Sequence, residues 1–245
     1  MYNRFSDFYD QLVFDINYKK YSKNIIDLLK KHKITDGQLL EIGCGTGNLT
    51  QQLAKNENFS ILAFDNSIDM LNHAFTKLID FDNVNLIMQD MYKFNYKDYQ
   101  FDAVITLLDV INYITDKDKL ITLFSNIYTS LKDGGIFIFD LNSRYKLIDV
   151  LGNNHFIYEK NDIFYTWENQ LEDNLVYFNL NFFIKNENSN SYERFTEEQV
   201  ERYYSIEEII EILQSIGFSE IDYFDEDGGK FTENKTQRIL FSAKK

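Results

Sequence analysis

Leu39-Leu40-Glu41-Ile42-Gly43-Cys44-Gly45-Thr46-Gly47-Asn48-Leu49-Thr50 is the stretch on which the reading of this chain turns. The apolar residues Leu39, Leu40 and Ile42 predict a buried strand, and three glycines break it. Leu49, Leu53 and Ala54 then resume at helical spacing. Strand, glycine bend and helix in that order put bare main-chain amides at the carboxyl end of a parallel strand, where open α/β sheets bind ligands. Alternate glycines permit positive φ and leave no Cβ between backbone and ligand.

Two carboxylates narrow the ligand. Glu41 ends the first strand, and Asp65 closes a second apolar run, Ser60-Ile61-Leu62-Ala63-Phe64. An acid about 20 residues beyond the glycines is placed to accept both ribose hydroxyls. A dinucleotide fingerprint needs a third glycine, but Leu49 and Thr50 stand there, and no lysine follows to make a phosphate loop. A ligand without phosphates, bearing a ribose and a cation, suits this acid-flanked bend.

Glu41-Ile42-Gly43-Cys44-Gly45-Thr46-Gly47 resembles the first motif of class I S-adenosylmethionine-dependent methyltransferases. The resemblance implies S-adenosyl-L-methionine as cofactor and a Rossmann-like α/β fold. That fold has a seven-stranded, mostly parallel sheet with helices on both faces and the last strand antiparallel. Cofactor contacts are then expected from Glu41, Gly43, Cys44, Gly45 and Gly47 in the bend, and from Asp65 and Asn66 after the second strand. Met70 resembles the adenine-packing position. A third strand, Val84–Met88, runs into Asp90, which matches the family's acceptor for the adenine amino group, with the Met91 amide reading a ring nitrogen. Leu107 ends the fourth strand, Phe101–Leu107. Tyr9 and Tyr18 resemble the aromatic residues that close over the cofactor in small-molecule methyltransferases; their rings suit a sulfonium cation.

Bulk properties agree with one α/β domain carrying an insertion in 245 residues. A hydrophobic content of 44% with 16% aromatics is ample for a packed core. The lone Cys44 forms no internal disulfide, no charged-then-apolar leader precedes Phe5, and no apolar run nears the ~20 residues of a membrane span. A cytoplasmic protein is the expectation. A net charge of −14 repels a phosphate backbone, so nucleic acid is not an expected partner. Family members that methylate base amines carry an acid/Asn-Pro-Pro-aromatic motif, and this chain has no proline. No Cys/His/Asp group has metal-ligand spacing.

In chain order, residues 1–35 read as an N-terminal helical cap, with Tyr18, Tyr21, Ile25, Leu28, Leu29 and His32 at helical spacing. Asn66 or Ser67 caps the helix carrying Ile68, Leu71, Ala74, Phe75 and Leu78. Asp116 caps the next, and Lys132-Asp133-Gly134-Gly135 turns into a fifth strand, Ile136–Asp140. Residues 1–141 and 205–245 thus make the cofactor-binding domain. Residues 142–204 make a β-rich insertion of a polar connection and two or three alternating strands, with Asn186–Asn190 as a hairpin loop. It resembles the insertion of sugar-amine N-methyltransferases and glycine methyltransferase relatives, which covers the acceptor pocket or makes a homodimer contact. Ser205-Ile206-Glu207-Glu208 is a capping box, Gly217 stops its helix, and Ile221–Phe224 and Arg238–Phe241 supply the closing strands.

Methyl transfer from a sulfonium needs collinear geometry in a water-poor pocket, and a base only when the acceptor arrives protonated or is a hydroxyl. Asp109, Asn112 and Tyr113, after the fourth strand, are the catalytic candidates. Some sugar-amine methyltransferases place a histidine base where Tyr113 stands; a tyrosine, with a reference pKa of ~10, orients an amine better than it deprotonates one. The expected acceptor is a small-molecule amine or hydroxyl. Two other classes remain open: a nicotinamide-dependent oxidoreductase, opposed by the missing third glycine, and a non-catalytic binding protein, opposed by the intact Glu41, Asp65 and Asp90.

Overall fold

The computed structural model describes residues 5–13, 16–186, 189 and 191–245. Helices α1 (Phe5–Leu12) and α2 (Tyr18–Lys31) precede β1 (Gly37–Ile42), α3 (Asn48–Ala54), β2 (Phe59–Asp65), α4 (Ile68–Leu78) and β3 (Val84–Met88). Next come β4 (Phe101–Thr106), α5 (Lys117–Ser130) and β5 (Leu131–Asn142). A π-helical segment, Tyr145–Leu151, leads into β6 (His155–Lys160), β7 (Ile163–Glu172), β8 (Leu175–Lys185) and β9 (Tyr192–Arg202). Last are α6 (Ile206–Ile216), β10 (Ser219–Asp225) and β11 (Arg238–Lys244).

Seven strands form one sheet in the order β3-β2-β1-β4-β5-β11-β10. β1 to β5 pair in parallel, and β11 is antiparallel to both β5 and β10, as expected of this fold. Both faces are covered, which is why the strands read as continuous apolar runs. Leu39, Ile61, Ala103, Ile105, Ile136 and Ile138 pack with Ile25 of α2, Leu49 of α3 and Leu71 of α4. Their neighbours Leu40, Val104, Phe137 and Phe139 pack with α5 and α6 on the other face.

The caps follow the sequence signals. Ser67 Oγ accepts from Met70 N at 3.3 Å, Asp116 Oδ1 from Asp118 N at 2.9 Å, and Ser205 Oγ from Glu208 N at 3.1 Å. The capping box is only half made, because the Glu208 carboxylate turns to Lys117 (3.1 Å) and Arg202 (3.3 Å). β5 starts earlier than expected, at Leu131, with a register shift between Phe101 and Ala103 that absorbs the glycine turn.

The insertion holds four antiparallel strands, β6-β7-β8-β9, rather than two or three. Glu187, Asn188 and Asn190 of the expected hairpin loop lie outside the described residues, as do residues 1–4 and 14–15 of the expected helical cap. Leu147, Leu151, Val176 and Phe178 give this sheet its own small core. Helix α1 leans on the same sheet, with Phe5 5.9 Å from Phe182 and Phe8 6.4 Å from Phe195 between ring centroids. Among the described residues no helix is long and apolar enough to cross a membrane, and no group of three or more His, Cys, Asp or Glu could hold a metal ion.

Candidate active site

The carboxyl ends of β1, β2 and β4 open into a cavity of about 510 Å³, walled on the far side by Trp167, Phe178, Leu180, Glu197, Gln199 and Glu201 of the insertion. The glycine bend forms its near wall. Gly43 (φ +72°) leaves no room for a side chain, since a Cβ there would stand 2.7 Å from Val110 Cγ2. Gly45 (φ +54°) is the opposite case, with nothing within 4 Å of where a Cβ would stand. The bend is tied to β2 by Gly43 N and Cys44 N, which donate to the Phe64 carbonyl at 2.8 and 3.0 Å. Asp65 braces it further: Oδ2 accepts from Gly45 N at 2.9 Å and Oδ1 from Ser67 N at 2.8 Å.

Glu41 is 3% exposed and its Oε2 has no hydrogen-bond partner. Burial, with the nearby Asp65 charge, pushes its carboxyl up to about 8. Burial likewise raises Asp65. Cys44 lines the cavity, but burial pushes its thiol well up, so it is a packing residue and not a nucleophile. Tyr9, Tyr18, Asn66, Met70, Met91 and Leu107 also line the cavity.

Three of the expected residues do not line it. Gly47 is the close approach of α3 to α4: a Cβ there would meet Ala74 Cβ at 3.0 Å and Leu78 Cδ1 at 3.1 Å. Asp90 turns its Oδ1 to Tyr92 N at 2.8 Å, and Gln89 lines the cavity in its stead. Asn112 is fully buried, its Nδ2 donating to the Arg202 carbonyl at 2.9 Å and its Oδ1 accepting from Asn142 N at 2.9 Å. It fastens β9 to the end of β5, a structural task.

Asp109 lines the cavity but is not a free base. Arg238 binds it through both terminal nitrogens (Nη2 to Oδ2 at 3.1 Å) and reaches Asp140 Oδ2 at 3.2 Å. Burial works against the Asp109 charge, but the guanidinium outweighs it and holds that carboxyl below the usual range. Asp140 in turn accepts from Leu108 N (3.0 Å) and Asp109 N (3.1 Å), two consecutive non-glycine residues at φ 64° and 70°. Such left-handed pairs cost free energy and persist only where surrounding contacts enforce them. Tyr113 lines the same wall and donates to Gln199 Oε1 at 2.8 Å. Burial and the Glu201 and Asp109 charges raise its phenol, which makes it a donor and not a base near neutral pH.

Helix α1 roofs the cavity, and Asp10 fastens it. Its Oδ1 accepts from Thr46 Oγ1 (2.7 Å) and Asn48 Nδ2 (2.8 Å), and its Oδ2 from Lys77 Nζ (2.5 Å). These partners hold the Asp10 carboxyl below its ordinary value despite partial burial. Asp10→Ala is expected to free α1 and to weaken binding of the cavity's ligand about tenfold, since charge-assisted contacts of this kind contribute about 1.5–3 kcal/mol. Calorimetric titration checks this, and an unchanged dissociation constant would separate the roof from ligand retention.

Arg238, Asp140, Trp167, Glu197, Gln199 and Glu201 were not anticipated as site residues. The polar residues at alternate positions 197, 199 and 201 (Glu197, Gln199, Glu201) are a signal that could have pointed to the last three.

A sheet of this strand order, with a glycine bend and acids at successive strand tips over one cavity, defines a nucleoside-binding α/β enzyme class. Comparison with known proteins narrows it. A family model described as "Methyltransferase domain" matches residues 39–135. The Bacillus subtilis (strain 168) protein named "Putative methyltransferase YqeM" is 30% identical over all of this chain and 97% of its own length. The crystal structure of an S-adenosylmethionine-dependent methyltransferase from Clostridium acetobutylicum ATCC 824 is 39% identical, with a TM-score of 0.87 over 99% of this chain and 98% of that one. The sugar N-methyltransferase KedS8 from Streptoalloteichus sp ATCC 53650 shares the fold at 18% identity, with a TM-score of 0.78 over 97% of this chain and 92% of its own. The chain belongs to the S-adenosylmethionine-dependent methyltransferases, and S-adenosylmethionine is its cofactor. The nicotinamide and non-catalytic alternatives give way to that assignment.

Proposed function

We propose that this methyltransferase carries the methyl group to a small-molecule amine or hydroxyl acceptor, taken up between the glycine bend and the insertion sheet. The observation that carries this reading is a cavity of about 510 Å³ bounded by both. That volume lies in the range of about 300–1,000 Å³ typical of small-molecule sites.

The residues present suit the cofactor. The unpartnered Glu41 Oε2 offers an acceptor for a cationic group, and Gly45 leaves bare backbone toward the ligand. Among the residues lining the cavity, Asp65 would take the ribose, Asn66, Met70, Gln89 and Met91 would border the base, and Tyr9 and Tyr18 would cover the methionyl end. When bound, the cofactor would supply an electrophilic methyl group on a sulfonium, with neutral S-adenosylhomocysteine as the leaving group as its C–S bond breaks. The protein's share is to exclude water with α1 and the insertion, and to aim the acceptor from Tyr113 and the Leu108–Asp109 turn. We read the insertion as the acceptor wall and place the protein in the cytoplasm, where the lone thiol of Cys44 stays reduced.

Incubation with methyl-labelled S-adenosylmethionine and panels of small amines, small hydroxylated compounds, RNA and protein tests the reading. Label is expected in the small molecules; label in RNA or protein alone would refute it.

A further inference from the structure

The acceptor half of the cavity differs in character from the cofactor half. Register sets Glu197 opposite Leu180, Gln199 opposite Phe178 and Glu201 opposite Val176, so three polar residues of β9 share an inner face with apolar partners of β8. Glu201 is 5% exposed, and its Oε2 accepts from Asn142 Nδ2 at 2.7 Å. On the same wall the Trp167 Nε1 donor is buried without a partner. The charged groups facing Glu201 are Asp109, Lys146 and Arg238, with the Tyr113 phenol close by. Asp109, Asp140, Glu197 and Glu201 therefore stand against two cations, Arg238 and Lys146, in this part of the molecule.

We propose, resting on the methyl-transfer reading above, that the acceptor is a small cationic amine that also carries an oxygen, its nitrogen held by Glu201 and its oxygen accepting the Trp167 indole N–H. A hydroxyl acceptor brings no charge to two carboxyls set in an apolar wall. An ammonium brings the charge they lack and N–H donors that a buried carboxylate accepts. The unused indole donor needs an acceptor atom, which a plain alkylamine does not have. Burial raises both acids, Glu201 to about 8, so this carboxyl is poised to exchange a proton with an amine near neutral pH. As an N–H bond of the ammonium breaks, the proton passes to Glu201 and the nitrogen keeps the lone pair it needs for attack.

The test titrates the full chain, saturated with S-adenosylhomocysteine, with trans-2-aminocyclohexanol and with its isostere trans-cyclohexane-1,2-diol. The amino alcohol is expected to bind about tenfold tighter or more, the advantage of a charge-assisted contact. Glu201→Gln, which keeps the Asn142 contact, is expected to erase that preference and leave S-adenosylhomocysteine binding intact. Trp167→Phe is expected to weaken both probes together. Equal binding of the two probes, binding of neither, or a preference that survives Glu201→Gln would overturn the inference. Failure of S-adenosylhomocysteine to bind would strike instead at the cofactor reading beneath it.

Discussion

Arg238→Ala is expected to lower folding stability by about 3–5 kcal/mol, the usual penalty for leaving a buried charge without its partner. Arg238 is 7% exposed and Asp140 fully buried, and both Asp109 and Asp140 depend on this one guanidinium. Without it two like charges face each other in a dry site, and one must take up a proton. The loss spreads to the backbone, because Asp140 accepts the N–H groups of the left-handed Leu108 and Asp109. Arg238→Lys keeps the charge but not the fork that grips Asp109 with two nitrogens, so it should recover only part of the stability. Asp109→Asn in the Arg238→Ala background should also recover part, by removing one stranded charge. Denaturant unfolding measures all three. A loss under about 1 kcal/mol for Arg238→Ala would mean the two carboxyls are neutral or solvated in the native protein. Turnover should fall with stability, since the Leu108–Asp109 turn lines the cavity.

The cofactor half was legible because its elements announce themselves locally. β1 and β2 are short apolar runs ended by a glycine and an acid, and α4, α5 and α6 open on Ser67, Asp116 and Ser205. β9, the strand implied after the hairpin loop, was left without bounds for a physical reason: its inner face borders the cavity, so Glu197, Gln199 and Glu201 occupy positions where a core strand would show aliphatics. β6 was missed because His155–Lys160 is a mostly exposed edge strand with no alternation to read. The site failed to read through where its partners are distant in sequence. Asp109 looked like a catalytic carboxylate because its partner stands 129 residues away, and Asn112 looked catalytic because Arg202 stands 90 away. The trace they left was a charged residue at the end of an apolar strand: Asp140 closing Ile136–Phe139, and Arg238 opening Ile239–Phe241.

The ligand-free protein is expected to lose stability as the pH rises from about 4.5 to about 8. Glu41 and Glu201 carry the effect, each raised by burial from 4.5 to about 8 in the folded protein. Between those values the folded state holds protons that the unfolded chain has released. The stability these groups contribute is complete below the unfolded value and is lost as the pH climbs through the folded one. Asp65 and Glu197, also raised, act in the same direction, whereas Asp10 and Asp109, held low by their partners, contribute stability that disappears only on acidification. Each pH unit corresponds to about 1.4 kcal/mol per group, so over the span from 4.5 to about 8 each acid accounts for at most about 5 kcal/mol. Melting temperatures across this range measure it, and Glu41→Gln and Glu201→Gln should each flatten the profile. A wild-type melting temperature that stays level between pH 5 and 8 would mean both carboxyls ionise normally. Addition of S-adenosylmethionine should restore more stability at pH 8 than at pH 5, because a cation beside Glu41 favours the carboxylate that the empty protein resists forming. The same burial that makes these acids a burden to the free protein thus gives a cationic ligand its hold on the folded one.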